Sequence, residues 1–272
     1  MGVFLSPAWG MLAVEVCHAF AARCGPDMAR RPAGPRKHAT LTTQHPPDRT
    51  QYGSPGVATQ METGSLSSAR LFSVGHSVLA LEAFLALLRG AGVTAVADVR
   101  SAPYSRRLPQ FNRDDLRAAL YQAGIGYVFL GEQLGGRPRD DKLYDAGRVN
   151  YEKVRDGDAF KAGLARLLDE TERSVVAMLC GEEDPLDCHR GLMITPALVE
   201  QGTAPLHIRK GGAIETTAEM EERLLKETRL REKLEQPELF GPAPDRAAIL
   251  DEAYRRRAEK AAFQRRDGEM DG

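Results

Sequence analysis

The chain has 272 residues, room for one full domain with extensions but hardly for three. Its 37 Lys and Arg nearly balance 38 Asp and Glu, a formal net charge of -1 that excludes an overall basic nucleic-acid coat, and aromatics at 6% are too sparse for a platform that stacks single-stranded bases. No run of 18 apolar residues exists, so no membrane partner is expected, and four cysteines (Cys17, Cys24, Cys180 and Cys188) are too few for a disulfide scaffold and fit a reducing, cytoplasmic setting.

Residues 25–60 are dominated by Pro, Gly, Arg, Thr and Gln and have no apolar period, so they cannot bury enough surface to offset the entropy of ordering. Glu15 and His18 interrupt the apolar stretch upstream, and no Lys or Arg precedes it as a secretion signal requires. Residues 1–68 are therefore expected to be a disordered extension or a mis-called start, with Met61 opening a polar lead into the first strand.

From residue 69 strands and helices alternate. Leu71-Phe72-Ser73-Val74-Gly75 reads as a buried strand, and Ser77 is placed to cap a helix carrying Leu81, Phe84, Leu85 and Leu88. The β-branched run Val93–Val99 predicts a second strand, and Asn112 with Asp115 opens a second helix that Gly124 closes. Tyr127–Leu130 is a third strand. Residues 131–157 form a long connection rich in Gly, Asp and Arg, of a length that is usually functional or mobile. Asp158 caps a helix with Phe160, Leu164, Leu167 and Leu168 on one side. Ser174–Cys180 is the strongest strand, a helix over about 191–201 follows, and Pro205–Ile208 is a fifth strand suited to an edge.

Strands separated by helices imply parallel pairing. The expected fold is α/β: a three-layer, Rossmann-like core over 69–212, with a mostly parallel sheet of four to five strands and helices on both faces. A charged helical extension over 213–272 follows, with a capping box at Thr216 and Glu219 and a solvated arginine run at Arg255–Arg257.

In such a sheet the strand carboxyl ends converge on one rim. His76 and Ser77 follow the first strand, Asp98, Arg100, Ser101 and Arg106 the second, and Cys180, Glu182, Cys188, His189 and Arg190 the fourth. The segments Ser73–Ser77, DVRSAPYSR (Asp98–Arg106), LGG (Leu134–Gly136) and LCGEEDPLDCHR (Leu179–Arg190) resemble the "domain of unknown function 488" family over residues 71 to about 210, and QPELF (Gln236–Phe240) and AYRRRAEK (Ala253–Lys260) resemble the tail of its longer members. The resemblance implies an α/β fold and shared polar residues at the positions quoted, and it implies no activity. The N-terminal extension departs from it.

The layout is also similar to that of rhodaneses and their phosphatase relatives, which place Asp-Val-Arg after an early strand and a nucleophilic cysteine after a later one. Those enzymes cradle an anion in a loop closed by Arg. Here the loop holds Glu182, Glu183, Asp184 and Asp187, which repel a phosphate and raise a thiol pKa. Cys180 is thus open to four readings: nucleophile, buried packing residue, metal ligand or oxidation sensor. Cys180, Cys188, His189 and His76 offer two sulfurs and two imidazoles, but the Cys-x7-Cys-His spacing matches no common zinc motif and neighbouring Cys and His point apart on a helix, so no metal is expected. A bidentate pair between Arg100 and Glu182 is expected to fix the rim, leaving Arg106 and Arg190 to bind an anion with His76 and Ser101; Arg100, Ser77 and Cys188 complete the anion-binding candidates.

No nucleotide-cofactor fingerprint, phosphate-loop lysine or serine-hydrolase elbow is present, and the sequence leaves the cofactor unknown. The leading expectation is an enzyme, a Cys- or carboxylate-dependent hydrolase or transferase acting on a small anionic or nucleotide-like substrate. Its catalytic candidates are Cys180, Glu182, His189, His76 and Asp98. The alternatives are a nucleotide or nucleic-acid binding module, using the arginines at 100, 106, 107, 113, 117, 137 and 139, and a Cys-based redox or metal sensor.

Overall fold

A computed structural model describes residues 70–235 and 245–265; the expectations for residues 1–68 and for QPELF at 236–240 lie outside them. The central strands are β1 (Leu71–Gly75), β2 (Ala95–Asp98), β3 (Gly126–Phe129), β6 (Val176–Cys180), β7 (Leu206–Ile208) and β8 (Ile214–Thr216). They form a six-stranded sheet in the order β3-β2-β6-β1-β7-β8, parallel throughout except for the antiparallel β7–β8 pair. Strand β6 lies at the middle, hydrogen-bonded to β1 on one side and β2 on the other.

The alternation of side chains along each strand sorts the core into two layers. Phe72, Val74, Val96, Ala177 and Leu179 face one way, against Phe84 and Leu88 of α1 (Leu81–Gly90) and Leu116 and Leu120 of α2 (Arg113–Gln122). Leu71, Ala95, Ala97, Val176 and Met178 face the other way, against α5 (Asp158–Arg173) and α6 (Thr195–Glu200). Met220, Leu224 and Leu225 of α7 (Thr217–Glu227), which the short α8 (Arg231–Glu235) follows, and Ala253 and Tyr254 of α9 (Arg246–Ala261) join this second cluster. Each fully buried Leu or Phe contributes about 1.5–3 kcal/mol.

Four local expectations are corrected. Ser77 caps no helix: α1 begins at Leu81, and Ser77 adopts φ 45° while its N–H donates to Gly181 O at 2.8 Å. Strand β7 is not an edge, because β8 pairs outside it; three residues with a charge at the centre gave β8 no readable alternation. The connection after β3 is structured, holding α3 (Gly131–Leu134), a two-stranded hairpin of β4 (Tyr144–Asp145) and β5 (Arg148–Val149), and α4 (Tyr151–Asp156). Arg257 is no solvated charge, since it donates to Leu186 O at 3.0 Å and pairs with Asp187. Among the described residues no helix is long and apolar enough to cross a membrane.

A chain of polar side chains runs through the sheet. Arg190 Nε donates to Ser73 Oγ (3.3 Å), Ser73 contacts His207 Nδ1 (2.7 Å), His207 Nε2 contacts Thr217 Oγ1 (3.4 Å), and Thr217 donates to Pro205 O (2.6 Å). A neutral His207 with its proton on Nε2 gives each link one donor and one acceptor. Burial, then Arg190, Arg209 and Arg223, push its pKa down from 6.5 to about 3. A histidine held neutral when folded loses stability as pH falls from 6.5 toward 3, because only the unfolded chain takes up the proton. Urea unfolding of the wild type at pH 7 and pH 5 should show a loss of about 2 kcal/mol from this group, and His207→Gln should show a pH dependence smaller by about that amount. Equal pH dependence in both chains would contradict a buried neutral His207.

Candidate functional site

The carboxyl ends of β1, β2 and β6 frame a cleft of about 450 Å³. Its floor is set by a loop that doubles back over β1. A side-chain carbon at Gly75 would stand 1.7 Å from Glu182 O, so only glycine lets the loop lie this close. Beneath the loop lies Arg190, fully buried. Its Nη1 and Nη2 donate to Glu182 O and Glu183 O, each at 2.6 Å, and Nη1 also reaches Cys188 Sγ at 3.0 Å. Among the described residues no carboxylate lies within ion-pairing distance of this guanidinium. A buried charge needs a countercharge. Beside the guanidinium lie the sulfurs of Cys188, at 3.0 Å, and Cys180, and Arg190 favours the charged form of Cys180.

Backbone geometry turns Cys188 and His189 to the same side. Pro185–Asp187 form a 3-10 turn capped by Asp184; Cys188 is extended (φ -146°, ψ 164°); helical dihedrals begin at His189 (φ -61°, ψ -26°), which leads into a π-helical turn over Arg190–Ile194. The pair therefore does not sit on a regular helix, which corrects the expectation that the two side chains diverge. π-turns are frequent at functional sites. Donor atoms of Cys180, Cys188 and His189 all lie within 4.8 Å of one another, close enough to hold a thiophilic metal ion as well. His76, the fourth residue weighed for such a site, is not among them.

His189 Nε2 lies 2.9 Å from the Val99 carbonyl and Nδ1 lies 3.7 Å from Cys180 Sγ. A carbonyl only accepts, so Nε2 carries a proton and Nδ1 faces the sulfur. The neighbouring Cys188, with His189 and Arg190, holds Cys180 well below the ordinary thiol range against the opposing effect of burial. Burial keeps Cys188 protonated, its pKa well above the usual range. Burial pulls His189 down, but the Cys180 sulfur and the Val99 carbonyl more than reverse that, and it titrates above its ordinary value.

Across the cleft, Arg100 pairs bidentately with Asp98 (Nε–Oδ1 2.9 Å, Nη2–Oδ2 2.6 Å), not with Glu182. Its Nη1 donates to Phe111 O (2.9 Å) and to His76 Nε2 (3.2 Å). Asp98 also accepts from Tyr127 (2.8 Å) and is fully buried, so it positions Arg100 and does not line the cleft. His76 Nδ1 is 2.9 Å from Ser77 O, and its ring stacks on Phe111 at 4.3 Å. With Nδ1 donating and Nε2 accepting from Arg100, His76 is fixed as neutral imidazole, and burial and Arg100 lower its pKa further. Its Nε2 thus braces Arg100 at the edge of the cleft.

The cleft thus brings together Cys180, Glu182, Cys188, His189, His76, Arg100 and Ser101; Asp98, Ser77, Arg106 and Arg190 do not line it. Arg106 is exposed on its loop, and Arg190 is an interior clamp unavailable to a ligand. Glu182 is exposed at the rim, and its carboxylate makes no hydrogen bond or ion pair among the described residues. The rest of the acidic loop is neutralised: Arg209 pairs with Glu183 (3.1 Å) and Asp184 (3.0 Å), and Arg223 with Asp184 (2.8 Å). Of the arginines read as a basic face, Arg113 and Arg137 lie over the Phe129 and Phe263 rings and Arg117 pairs with Asp114.

Gly136, in the LGG motif, and Arg137, among the arginines of the expected basic face, also line the cleft; Tyr151 and Phe263 line it without having been singled out from the sequence. Nothing local signals Tyr151 or Phe263, which arrive through α4 and through a C-terminal segment whose Phe263 O accepts from Val149 N at 3.0 Å.

Residues 80–195 match the model of a family described as "Domain of unknown function DUF488", which bears out the resemblance read from the motifs. The matched stretch runs from the start of α1 to the start of α6 and holds every cleft residue on β2 and β6. No curated protein and no solved structure matches the chain.

A side-chain carbon at Gly136 would stand 2.8 Å from the His189 ring. Gly136→Ala should therefore leave the fold intact by circular dichroism but displace His189, slowing Cys180 alkylation by about tenfold. An unchanged rate would show that the ring is not held against this backbone.

Proposed function

We propose that this protein is a cysteine-dependent hydrolase or transferase in which Cys180 attacks an electrophilic centre on a small anionic or nucleotide-like substrate. The observation that carries the reading is the position of the Cys180 sulfur, at the end of the central strand and lining a cleft, with His189 Nδ1 at 3.7 Å. The neighbouring buried guanidinium without a carboxylate partner favours negative charge on that sulfur.

The residues divide the work as follows. Cys180 passes its proton to His189 Nδ1, whose orientation Val99 O holds through Nε2. The thiolate attacks, forming a bond from sulfur to the substrate. The leaving group departs with the proton from His189, and water or a second acceptor then displaces the sulfur, its proton taken by His189 or by the unpartnered Glu182. Arg100, held rigid by Asp98, Phe111 O and His76, has one Nη2 N–H beyond those contacts for an anionic substrate group. Arg137, stacked at 4.4 Å on Phe263, supplies a second cation at the rim. Tyr151 lines the cleft with its pKa raised by burial and by both cysteines, so it stays protonated as a donor.

Iodoacetamide labelling at neutral pH, read by peptide mass spectrometry, tests this. Cys180 should react at least about tenfold faster than Cys188, and His189→Ala should remove most of that advantage. Inertness of Cys180 until denaturation contradicts the reading, and so does a stoichiometric metal ion in protein purified without a tag, which would make the same three side chains ligands.

A further inference from the structure

The mechanism above uses Cys180 and leaves Cys188 without a chemical part. Yet both sulfurs line the same cleft, both residues are free cysteines, and their sulfurs lie within 4.8 Å. Cys188 stands on extended backbone between a 3-10 turn and the π-turn, outside the regular helix. Arg190 Nη1 reaches its sulfur at 3.0 Å, where it stabilises charge developing on that atom.

We propose that Cys188 is the resolving partner of Cys180, so that a hydroperoxide entering the cleft converts the pair into a reversible Cys180–Cys188 disulfide and the nucleophile escapes irreversible oxidation. This rests on the reading of Cys180 as a thiolate nucleophile. In the first step the Cys180 thiolate attacks the terminal oxygen of the hydroperoxide. An S–O bond forms and the O–O bond breaks; the leaving alkoxide or hydroxide takes the proton from His189 Nδ1 and departs as alcohol or water. Cys180 is oxidised to a sulfenic acid and the peroxide is reduced. In the second step the Cys188 sulfur attacks the sulfenic sulfur. The S–S bond forms, the S–O bond breaks, and the hydroxide leaves as water with the proton of the Cys188 thiol.

The surroundings suit this chemistry. The cleft of about 450 Å³ admits a small hydroperoxide, and the loop between the cysteines is pinned at several points, by Arg190 from below and by Arg209, Arg223 and Arg257 at its sides. The loop thus keeps Cys188 beside Cys180 in both oxidation states. A disulfide also removes the nucleophile reversibly, so oxidant would silence the activity proposed above and a thiol reductant would restore it.

The test is a mass map of the full chain after reduction, removal of the reductant and one equivalent of hydrogen peroxide. Both cysteines lie in the single tryptic peptide Ser174–Arg190, so the disulfide appears as the loss of two hydrogens from that peptide, recovered by dithiothreitol. Cleavage at Asp184 or Asp187 locates the bridge. The same product is expected in a Cys17→Ser, Cys24→Ser chain. In Cys188→Ala, given a second equivalent of peroxide to carry the sulfenic acid onward, Cys180 should instead pass to sulfinic acid, which dithiothreitol does not reverse. The wild-type map decides the matter even if that variant fails to fold. Sulfinic acid at Cys180 with Cys188 still a free thiol, or a bridge to Cys17 or Cys24, overturns the proposal alone when Cys180 still alkylates fast. Cysteines inert to both peroxide and iodoacetamide overturn it together with the nucleophile reading.

Discussion

A guanidinium buried without a carboxylate is the constraint from which the rest of this site follows. Arg190 is fully enclosed, and its donors go to two loop carbonyls, one hydroxyl and one sulfur. Neutral acceptors satisfy the hydrogen bonds of a buried cation but do not cancel its charge, and an uncompensated charge at that depth costs several kcal/mol. Of the two adjacent cysteine sulfurs, that of Cys180 can carry the opposite charge, since Cys188 stays protonated. Stability of the loop and acidity of the thiol therefore have a common origin. The same cation that folds residues 182–188 over the end of β1 favours a thiolate beside it.

The other features of the rim hold that arrangement in register. Gly75 lets the loop lie on the strand, and Gly136 lets the backbone of the LGG segment lie against His189. Val99, the residue after β2, fixes the imidazole through its carbonyl. Asp98 and His76 fix Arg100 on the facing side, so a flexible cation becomes a rigid donor. The C-terminal segment completes the wall: Phe263, hydrogen-bonded to β5, carries the Arg137 guanidinium. Residues from distant parts of the sequence thus converge on a small cleft whose centre is a sulfur and a ring nitrogen.

How much of this could be read from the amino-acid sequence follows from the range of the interactions. The strands of the parallel sheet were legible because Leu71–Gly75, Val93–Val99 and Ser174–Cys180 are apolar or β-branched runs, and burial on both faces demands such runs. The meeting of Cys180, Cys188, His189, Arg100 and His76 was legible because parallel strands end on one rim. The roles within that rim were not. Asp98 and Arg100 are two residues apart on one strand end, and sequence spacing does not say that the arginine folds back on its neighbour and not across to Glu182. Arg190 looks like a ligand-binding arginine until its burial is known. Ser77 has the chemistry of a helix cap, but hydrogen bonding to Gly181 holds it at positive φ before the helix starts. Tyr151 and Phe263 depend on tertiary packing of segments with no local signature.

The central claim is that Cys180 and His189 form a thiolate–imidazolium pair in the resting protein. The most direct measurement is nitrogen-15 NMR of the histidine side chains at neutral pH, with His189 assigned by comparison with His189→Gln and observed in wild type and in Cys180→Ala. The account predicts that both ring nitrogens of His189 are protonated in the wild type and that loss of the Cys180 sulfur returns Nδ1 to its bare, neutral state, with the proton kept on Nε2 against Val99. A neutral His189 with an unprotonated Nδ1 in both proteins would contradict it.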